Sequence, residues 1–590
     1  MELHQRVKQL SFIKSLSSNV DIFPSKTMAN KNHLGFFLVS ALYLLITFLT
    51  FNQIEEDAFI YFRLAENIAS GHGYVFNQIG ERIESGSGPI WLFLLVLMAK
   101  LPINMVVSVK FLGILFALLS LKLMMEISKL SIRNEFRIFP ALLLSISIPF
   151  YSWAQRGLES PLYIFSLLLF CFMLLDQKFR EKSWIAAILV LLCRPEAFFL
   201  LIFMLVLLAV FGKNEFPIKK NLMVVIGVEI IVTLIRFAYF QDFLPQPFYH
   251  KMRTTVGFDP LILFAKENYL MFLIVPAMVG WFKNRGQQNL FEFDKVVLAI
   301  FIPTFVWSIF GEDIIKPYNR HLLPALPFFY LWSLYHISRL AIKGTFIRLL
   351  QAGLICLAIL TLFFASSVVN FSYLDLNPVK KSLPLFLNQP VTYLLDTYNL
   401  ISSGEDSEKT ILPTFGADDQ PGRNFQATTG KFLAQNYPQG TTFVYSQMGQ
   451  TPWYAGNDIS FTDSLGLTSR KIGYAMFNKK ASESIALSVY EFLFSKVLCF
   501  FHLNKHPFIE RHKHDTDIIF ESRPDVIILH EFILMNKTSS DSRLMVDKRF
   551  EDNYKEKFVI NNFVRLFERK DFRHLQPLAV PEGASVVAVE

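Results

Sequence analysis

Apolar runs of spanning length recur along the chain up to about residue 371, and from about 372 a polar, mixed pattern replaces them. The runs lie near 34–51, 104–126, 138–152, 161–176, 197–212, 221–238, 262–282, 293–309, 321–338 and 347–367. A hydrocarbon core takes roughly 17–25 helical residues, with tolerance for tilt and short spans. Residues 89–101 are only 13 long, and residues 184–193 only 10, with Arg194-Pro195-Glu196 dividing the latter from the next run. In the polar part, 441–445, 458–462, 525–529 and 558–560 read as short strands, with helical patterns near 429–437 and 483–499. These patterns predict a polytopic α-helical membrane module over 34–371, preceded by an N-terminal segment 1–33, and an α/β soluble domain over 372–590.

Basic residues decide the orientation. They gather in six stretches: 1–33, 127–137, 177–183, 213–220, 283–285 and 339–348. All six lie on the cytoplasmic side only if 184–193 crosses as a short helix and 89–101 lies in the interface. That gives eleven spans, a cytoplasmic N-terminus and an extracytoplasmic C-terminal domain. The N-terminal basic residues precede a run without a small-residue cleavage pattern, so the first run reads as an uncleaved span. Every loop bearing polar clusters, including the first loop 52–103, then faces outside.

Composition agrees. The 590 residues are 52% hydrophobic and 18% charged, with 62 Phe. The net charge of +8 is dispersed between apolar runs as topology determinants are, so nucleic acid is not an expected partner. Four Cys lack metal-ligand spacing and a disulfide framework.

The candidate chemistry begins where the first run ends, at Glu55-Glu56-Asp57. Acids at membrane depth mark a functional site. Sugar transfer with inversion needs one carboxylate to take the acceptor hydroxyl's proton. The structural alternative is an acidic cap on the span, or pairing with Arg63. Glu56 and Asp57 point about 100° apart on a helix, so one of them is the base. Gly71-His72-Gly73 and Gly86-Ser87-Gly88-Pro89 are turn-rich and can present N–H groups to a phosphate; an ordinary surface loop is the other reading. Arg194-Pro195-Glu196 can neutralise itself. Lys251 after Asp242, and Tyr318 and Arg320 after Glu312-Asp313, can clamp a phosphate or simply anchor span ends. Asp463 falls at the carboxyl end of a strand, where ligand crevices and plain turns both occur.

Taken in order, these segments resemble the GT-C-fold, polyprenyl-phosphate-sugar-dependent glycosyltransferases, and within them the terminal arabinofuranosyltransferases of the mycobacterial cell wall and their bacterial relatives. The resemblance rests on Glu56-Asp57-Ala58-Phe59-Ile60-Tyr61-Phe62-Arg63-Leu64-Ala65-Glu66-Asn67 followed by Gly71 to Asn77, on Gly157 to Leu162, on Arg194 to Glu196, on Asp242 to Lys251, on Arg320 to Pro324, and on Asp463 to Ser469. It departs at Glu56, Gln246-Pro247, His321 and Ser469. It implies Asp57 as base with Glu56 secondary, and a donor phosphate near Lys251, Arg320, Arg63, Arg194, Tyr318 and His72. Glu159, Asp242 and Asp463 are then the acceptor-side candidates. The implied function is transfer of a sugar, such as the pentofuranose arabinose, from a polyprenyl-phosphate donor to a cell-envelope glycan or glycolipid outside a bacterial inner membrane. Protein cations can carry a monophosphate leaving group, so no cofactor or metal is expected, although the carboxylates at 55–57 and 312–313 form a set that could hold a divalent ion. The rivals are a polymerase or ligase of lipid-linked oligosaccharides and a non-enzymatic transporter or flippase; a transporter should carry charge within its spans and inverted repeats.

Overall fold

The computed structural model describes residues 26–49, 51, 54–211, 216–251, 265, 268, 270–284, 291–310, 320–340, 344–369, 425–481, 515–530, 540–561, 564–572, 578–581 and 584–589. Tyr318, the Glu312-Asp313 pair and the helix expected near 483–499 lie outside them.

Each apolar segment is helical over its described residues. In chain order the helices are α1 (Lys26–Leu49), α2 (Ala58–Ala69), α3 (Pro89–Ala99), α4 (Met105–Ser131), α5 (Phe139–Ile146), α6 (Ile148–Gln155), α7 (Ser160–Leu175), α8 (Ser183–Cys193), α9 (Ala197–Phe211), α10 (Ile218–Phe240), α11 (Gln246–Lys251), α12 (Leu270–Asn284), α13 (Phe291–Phe310), α14 (Leu326–Leu340) and α15 (Gly344–Val369). Among the described residues, α4 and α10 alone are each long and apolar enough to cross a membrane. The stretch Asn134–Gln155 is a third if its two pieces, bent by 57°, count as one span. The bend falls at Ser147, which is extended (φ −72°, ψ 129°) ahead of Pro149 in the first turn of α6, a position that tolerates proline's missing N–H. The eleven-span topology therefore remains an expectation from charge distribution. Large apolar side chains stay exposed along α9 and α10, among them Phe199, Val210, Ile231 and Leu234, as lipid contact requires.

The C-terminal part adds α16 (Phe425–Asn436), β1 (Thr442–Tyr445), α17 (Gln450–Ala455), β2 (Ser460–Asp463), α18 (Arg470–Ala481), α19 (Asp515–Glu521), β3 (Val526–His530), α20 (Ser540–Met545), α21 (Lys548–Asn553), β4 (Tyr554–Ile560), β5 (Val564–Arg569) and β6 (Val586–Ala588). The sheet order is β2-β1-β3-β5-β4-β6. β1 pairs in parallel with β2 and β3, while β5 and β6 join antiparallel. β3 explains its unbroken apolar run by burial on both faces. Val526 and Ile528 enter the main core, which is continuous with the helical module, and Ile527 and Leu529 enter a second core with Ile472, Ile519 and Phe550. β2 is an edge strand, and an uncovered edge offers unpaired N–H and C=O groups. The side chain of Asn77 covers it: Nδ2 donates to Phe461 O at 2.8 Å and Oδ1 accepts from Phe461 N at 3.0 Å. The first loop is thus bonded to the sheet itself.

Candidate active site

α2 carries the site, and it is buried on nearly every side, with Ala58 through Ala65 and Asn67 all shielded. It ends at Gly71, whose φ of +89° suits glycine, and Gly73 repeats this at +85°. Asn67 Nδ2 then pins the returning loop through the carbonyls of Val75 (2.9 Å) and Phe76 (3.0 Å). Gly71-His72-Gly73 is therefore a chain-reversing turn. His72 is exposed and bonds Ser70 Oγ at 3.2 Å.

The three carboxylates have three different surroundings. Glu55 is buried and pairs with buried Arg156 at 3.2 Å, while its backbone N–H donates to Arg156 O at 3.0 Å. Arg156 also donates to Ser152 Oγ at 2.9 Å and lies 4.9 Å from the Trp153 ring centre. Glu56 accepts from the backbone N–H of Gly449 in the C-terminal domain. Asp57 is half-buried and occupies the position preceding α2 with helical angles (φ −59°, ψ −20°). That geometry puts Asp57 and Tyr61 one turn apart on one face. Tyr61 receives the N–H of Gly88 at 3.0 Å, and Glu159 and Arg320 both act on its hydroxyl electrostatically. The opposite face turns to the C-terminal domain: Phe59 meets Trp453 at 5.3 Å between ring centres and Glu66 accepts from Trp453 Nε1 at 3.2 Å.

Arg63 lies on that opposite face, and the structure gives it a task other than holding a phosphate or the acidic triplet. Nε donates to Phe76 O (2.9 Å), Nη1 to Pro452 O and to Gly456 O (3.0 Å), and Nη2 to Ile459 O (2.8 Å). Burial leads the lowering of its pKa to about 9. A guanidinium so occupied by carbonyls is a joint between the two parts of the chain.

The remaining cations converge on Glu159. Arg320 donates from Nη2 to Glu159 Oε1 and from Nε to Ser160 Oγ at 3.1 Å. Arg194 Nη1 stands 3.7 Å from the same carboxylate oxygen, while its Nε meets Glu196 at 2.5 Å. The Arg194–Glu196 neutralisation foreseen from the sequence is thus present, with Glu159 added. Gly88 fits only as glycine: a Cβ there would stand 2.8 Å from Cys193 O and 3.5 Å from Glu159 Cγ. Glu159 therefore serves the cations. Lys251 ends α11, and its side chain lies outside the described residues, as does Tyr318.

Asp242 and Asp463, the acceptor-side candidates, are both hydrogen-bonded inside the protein. Asp242 accepts from the hydroxyls of Tyr249 and Tyr474 and from Phe243 N at 3.0 Å. Asp463 accepts from Leu465 N and Thr468 N, both at 2.8 Å, and builds the turn after β2. Burial pushes each carboxyl up to about 6. Among the described residues no three His, Cys, Asp or Glu stand together as a metal-holding group.

Sequence reasoning missed several of these partners. Arg156 stood beside a recognised segment without being singled out. Glu84 in the first loop pairs through both oxygens with Arg236 of α10, with the Nη2 contact at 3.3 Å. The lone arginine in an apolar span was the available signal. Gln246 Nε2 donates to Gly466 O (2.8 Å) and Ser469 O (3.2 Å), a link no local pattern announces.

A family model described as "Domain of unknown function (DUF8728)" matches residues 417–575. No curated protein matches the chain. The crystal structure of ArnT from Cupriavidus metallidurans bound to undecaprenyl phosphate superposes with a TM-score of 0.53 at 12% identity, covering 92% of this chain and 99% of that one. The chain has the GT-C fold. The apo crystal structure of the same ArnT gives a TM-score of 0.52 at 12% identity, over 91% and 98% of the two chains. The apo Archaeoglobus fulgidus oligosaccharyltransferase matches at a TM-score of 0.47 and 10% identity, over 94% of this chain and 76% of that one. A GT-C fold accounts for the helical bulk and the trailing sheet domain together.

Proposed function

We propose that this GT-C protein is an inverting glycosyltransferase that moves a sugar from a polyprenyl-phosphate donor to a glycan or glycolipid on the extracytoplasmic face. The observation that carries the reading is the register of α2. It sets Asp57 one turn before Tyr61, whose hydroxyl receives the N–H of Gly88 and feels Glu159 and Arg320, and leaves Glu56 on Gly449. Asp57 takes the proton of the acceptor hydroxyl, whose oxygen bonds to the anomeric carbon. The bond from that carbon to the phosphate oxygen breaks, and its electron pair leaves with the polyprenyl monophosphate. Arg320 and Lys251 meet the developing charge, with Arg194 holding Glu159 in place. Arg320 Nη1 makes no hydrogen bond among the described residues, which suits it to a phosphate oxygen. A pentofuranose such as arabinose is one sugar to include among the donors.

The test is transfer by the purified full-length protein from a panel of polyprenyl-phosphate sugars to envelope glycolipid extract. Label moved to the acceptor from one or more donors is the expected result. No transfer from any donor, with labelled lipid moving between leaflets of a vesicle, would establish a flippase instead.

A further inference from the structure

Glu56 and Arg63 are seven residues apart, about two helical turns or roughly 10 Å along α2. The six-residue α17 of the C-terminal domain lies against α2 and fits between them. Its leading residue, Gly449, donates its N–H to the Glu56 carboxylate. At its other end Gly456 N turns back to Trp453 O, so the carbonyl of Pro452 is left to an outside donor, and Arg63 supplies it. The same guanidinium holds the carbonyls of Gly456 and Ile459 beyond. Helix ends leave N–H and C=O groups that something else must satisfy. Here one helix satisfies both ends of another, with a carboxylate at the N-terminal end and a cation at the C-terminal end, the signs the backbone dipole favours. Between the clamps, Phe59 and Phe62 pack on Trp453 at 5.3 and 6.1 Å. The fit admits no slack at Gly449, where a Cβ would collide with Glu56 O.

Asp57 sits between the two clamps in sequence, directly after the first. From this arrangement we infer that Glu56 and Arg63 are positioning residues. Through them the C-terminal domain, by way of α17, holds the first turn of α2 in the register that aims Asp57 at the reaction centre. This inference rests on Asp57 being the base. Glu56 acts here as a hydrogen-bond acceptor, a duty an amide oxygen can also perform. Arg63 acts as a multiple donor to carbonyls, which glutamine cannot replace.

Two readouts on the full-length protein test it. The first is amide hydrogen exchange. Arg63→Gln and Glu56→Ala should each raise exchange both at 449–459 and at Ala58, Phe59 and Ile60, whose N–H groups close the first turn of α2. Glu56→Gln should raise neither. The second is kinetic. Arg63→Gln and Glu56→Ala should lower kcat by about ten- to a hundredfold, the cost of a misplaced catalytic group, with the donor KM unchanged. Neither should lower the residual rate of Asp57→Asn further. Glu56→Ala keeps the question answerable if Arg63→Gln fails to fold. Faster exchange confined to 449–459 would overturn the inference, as would an undiminished kcat loss in the Asp57→Asn background. A wild-type protein that transfers no sugar would sink the glycosyltransferase reading, and the exchange result would still decide the mechanical coupling.

Discussion

Arg320 and Glu159 form a buried ion pair between positions 161 apart in the chain, joining the segment ahead of α14 to the N-terminus of α7. Ser160 Oγ and the Trp153 ring, 5.4 Å from the guanidinium carbon, complete the seat.

Removing the carboxylate should therefore destabilise more than removing an exposed charge would. Glu159→Ala leaves the Arg320 guanidinium without its carboxylate and takes a second negative charge from beside Arg194, and breaking such a buried pair costs about 3–5 kcal/mol. Glu159→Gln, which keeps an acceptor oxygen, should cost less. Thermal midpoints of the two purified variants in one detergent give the comparison, and equal midpoints would count against a buried, coupled pair.

A glycine predicts a second effect. Gly157 has φ +86°, and a Cβ on it would stand 2.8 Å from the Cβ of Ala58, the residue after Asp57. Gly157→Ala should cost about 1–2 kcal/mol for the left-handed backbone alone. Pressure on Ala58 should also reduce transfer activity per folded molecule. Wild-type activity in a folded Gly157→Ala protein would show that α2 has more room than the structure gives it.

Asp463 predicts a pH dependence. Burial raises its carboxyl to about 6, outweighing the backbone N–H groups that favour the charge. A carboxyl raised in the folded state contributes stability that is full below its unfolded value of about 4 and is lost as pH rises through the folded value. The thermal midpoint should then fall between about pH 4 and pH 6, and Asp463→Asn should flatten that slope. Asp242, raised in the same direction, should leave part of the slope in place. A slope unchanged by Asp463→Asn contradicts the assignment.

Orientation has its own check. Val546 is 85% exposed in the C-terminal domain. In a background with the native cysteines replaced, Val546→Cys should react with a membrane-impermeant maleimide added from outside the inner membrane. Labelling only from the cytoplasmic side would refute the eleven-span topology.

The helices of the apolar runs were legible because each run is long or strongly apolar, and the first four strands because short β-branched runs lie between turn residues; α2 and α17 to α21 carried no such signal. β5 was missed: Val564-Arg565-Leu566-Phe567-Glu568-Arg569 carries charges that read as loop until its pairing with β3 is known. Asp57 could be set apart from Glu56 by helical angle, but the side each one faces depended on Gly449, almost four hundred positions away. Partners 220 to 396 positions away likewise hid the work of Arg63, Asp242 and Gln246. Each reaches at least one carbonyl or hydroxyl of a domain that local pattern cannot place. Arg194 and Glu196 were readable as a pair because they are two residues apart.

The central claim is that Asp57, and not its neighbour, takes the acceptor's proton. Turnover of Asp57→Asn and Glu56→Gln, measured side by side with saturating polyprenyl-phosphate sugar, tests it most directly. Asp57→Asn should lose about a hundred- to ten-thousandfold in kcat, the range for a general base, while Glu56→Gln stays near wild type because its amide oxygen still accepts from Gly449. Near-wild-type turnover in Asp57→Asn together with collapse in Glu56→Gln would contradict it.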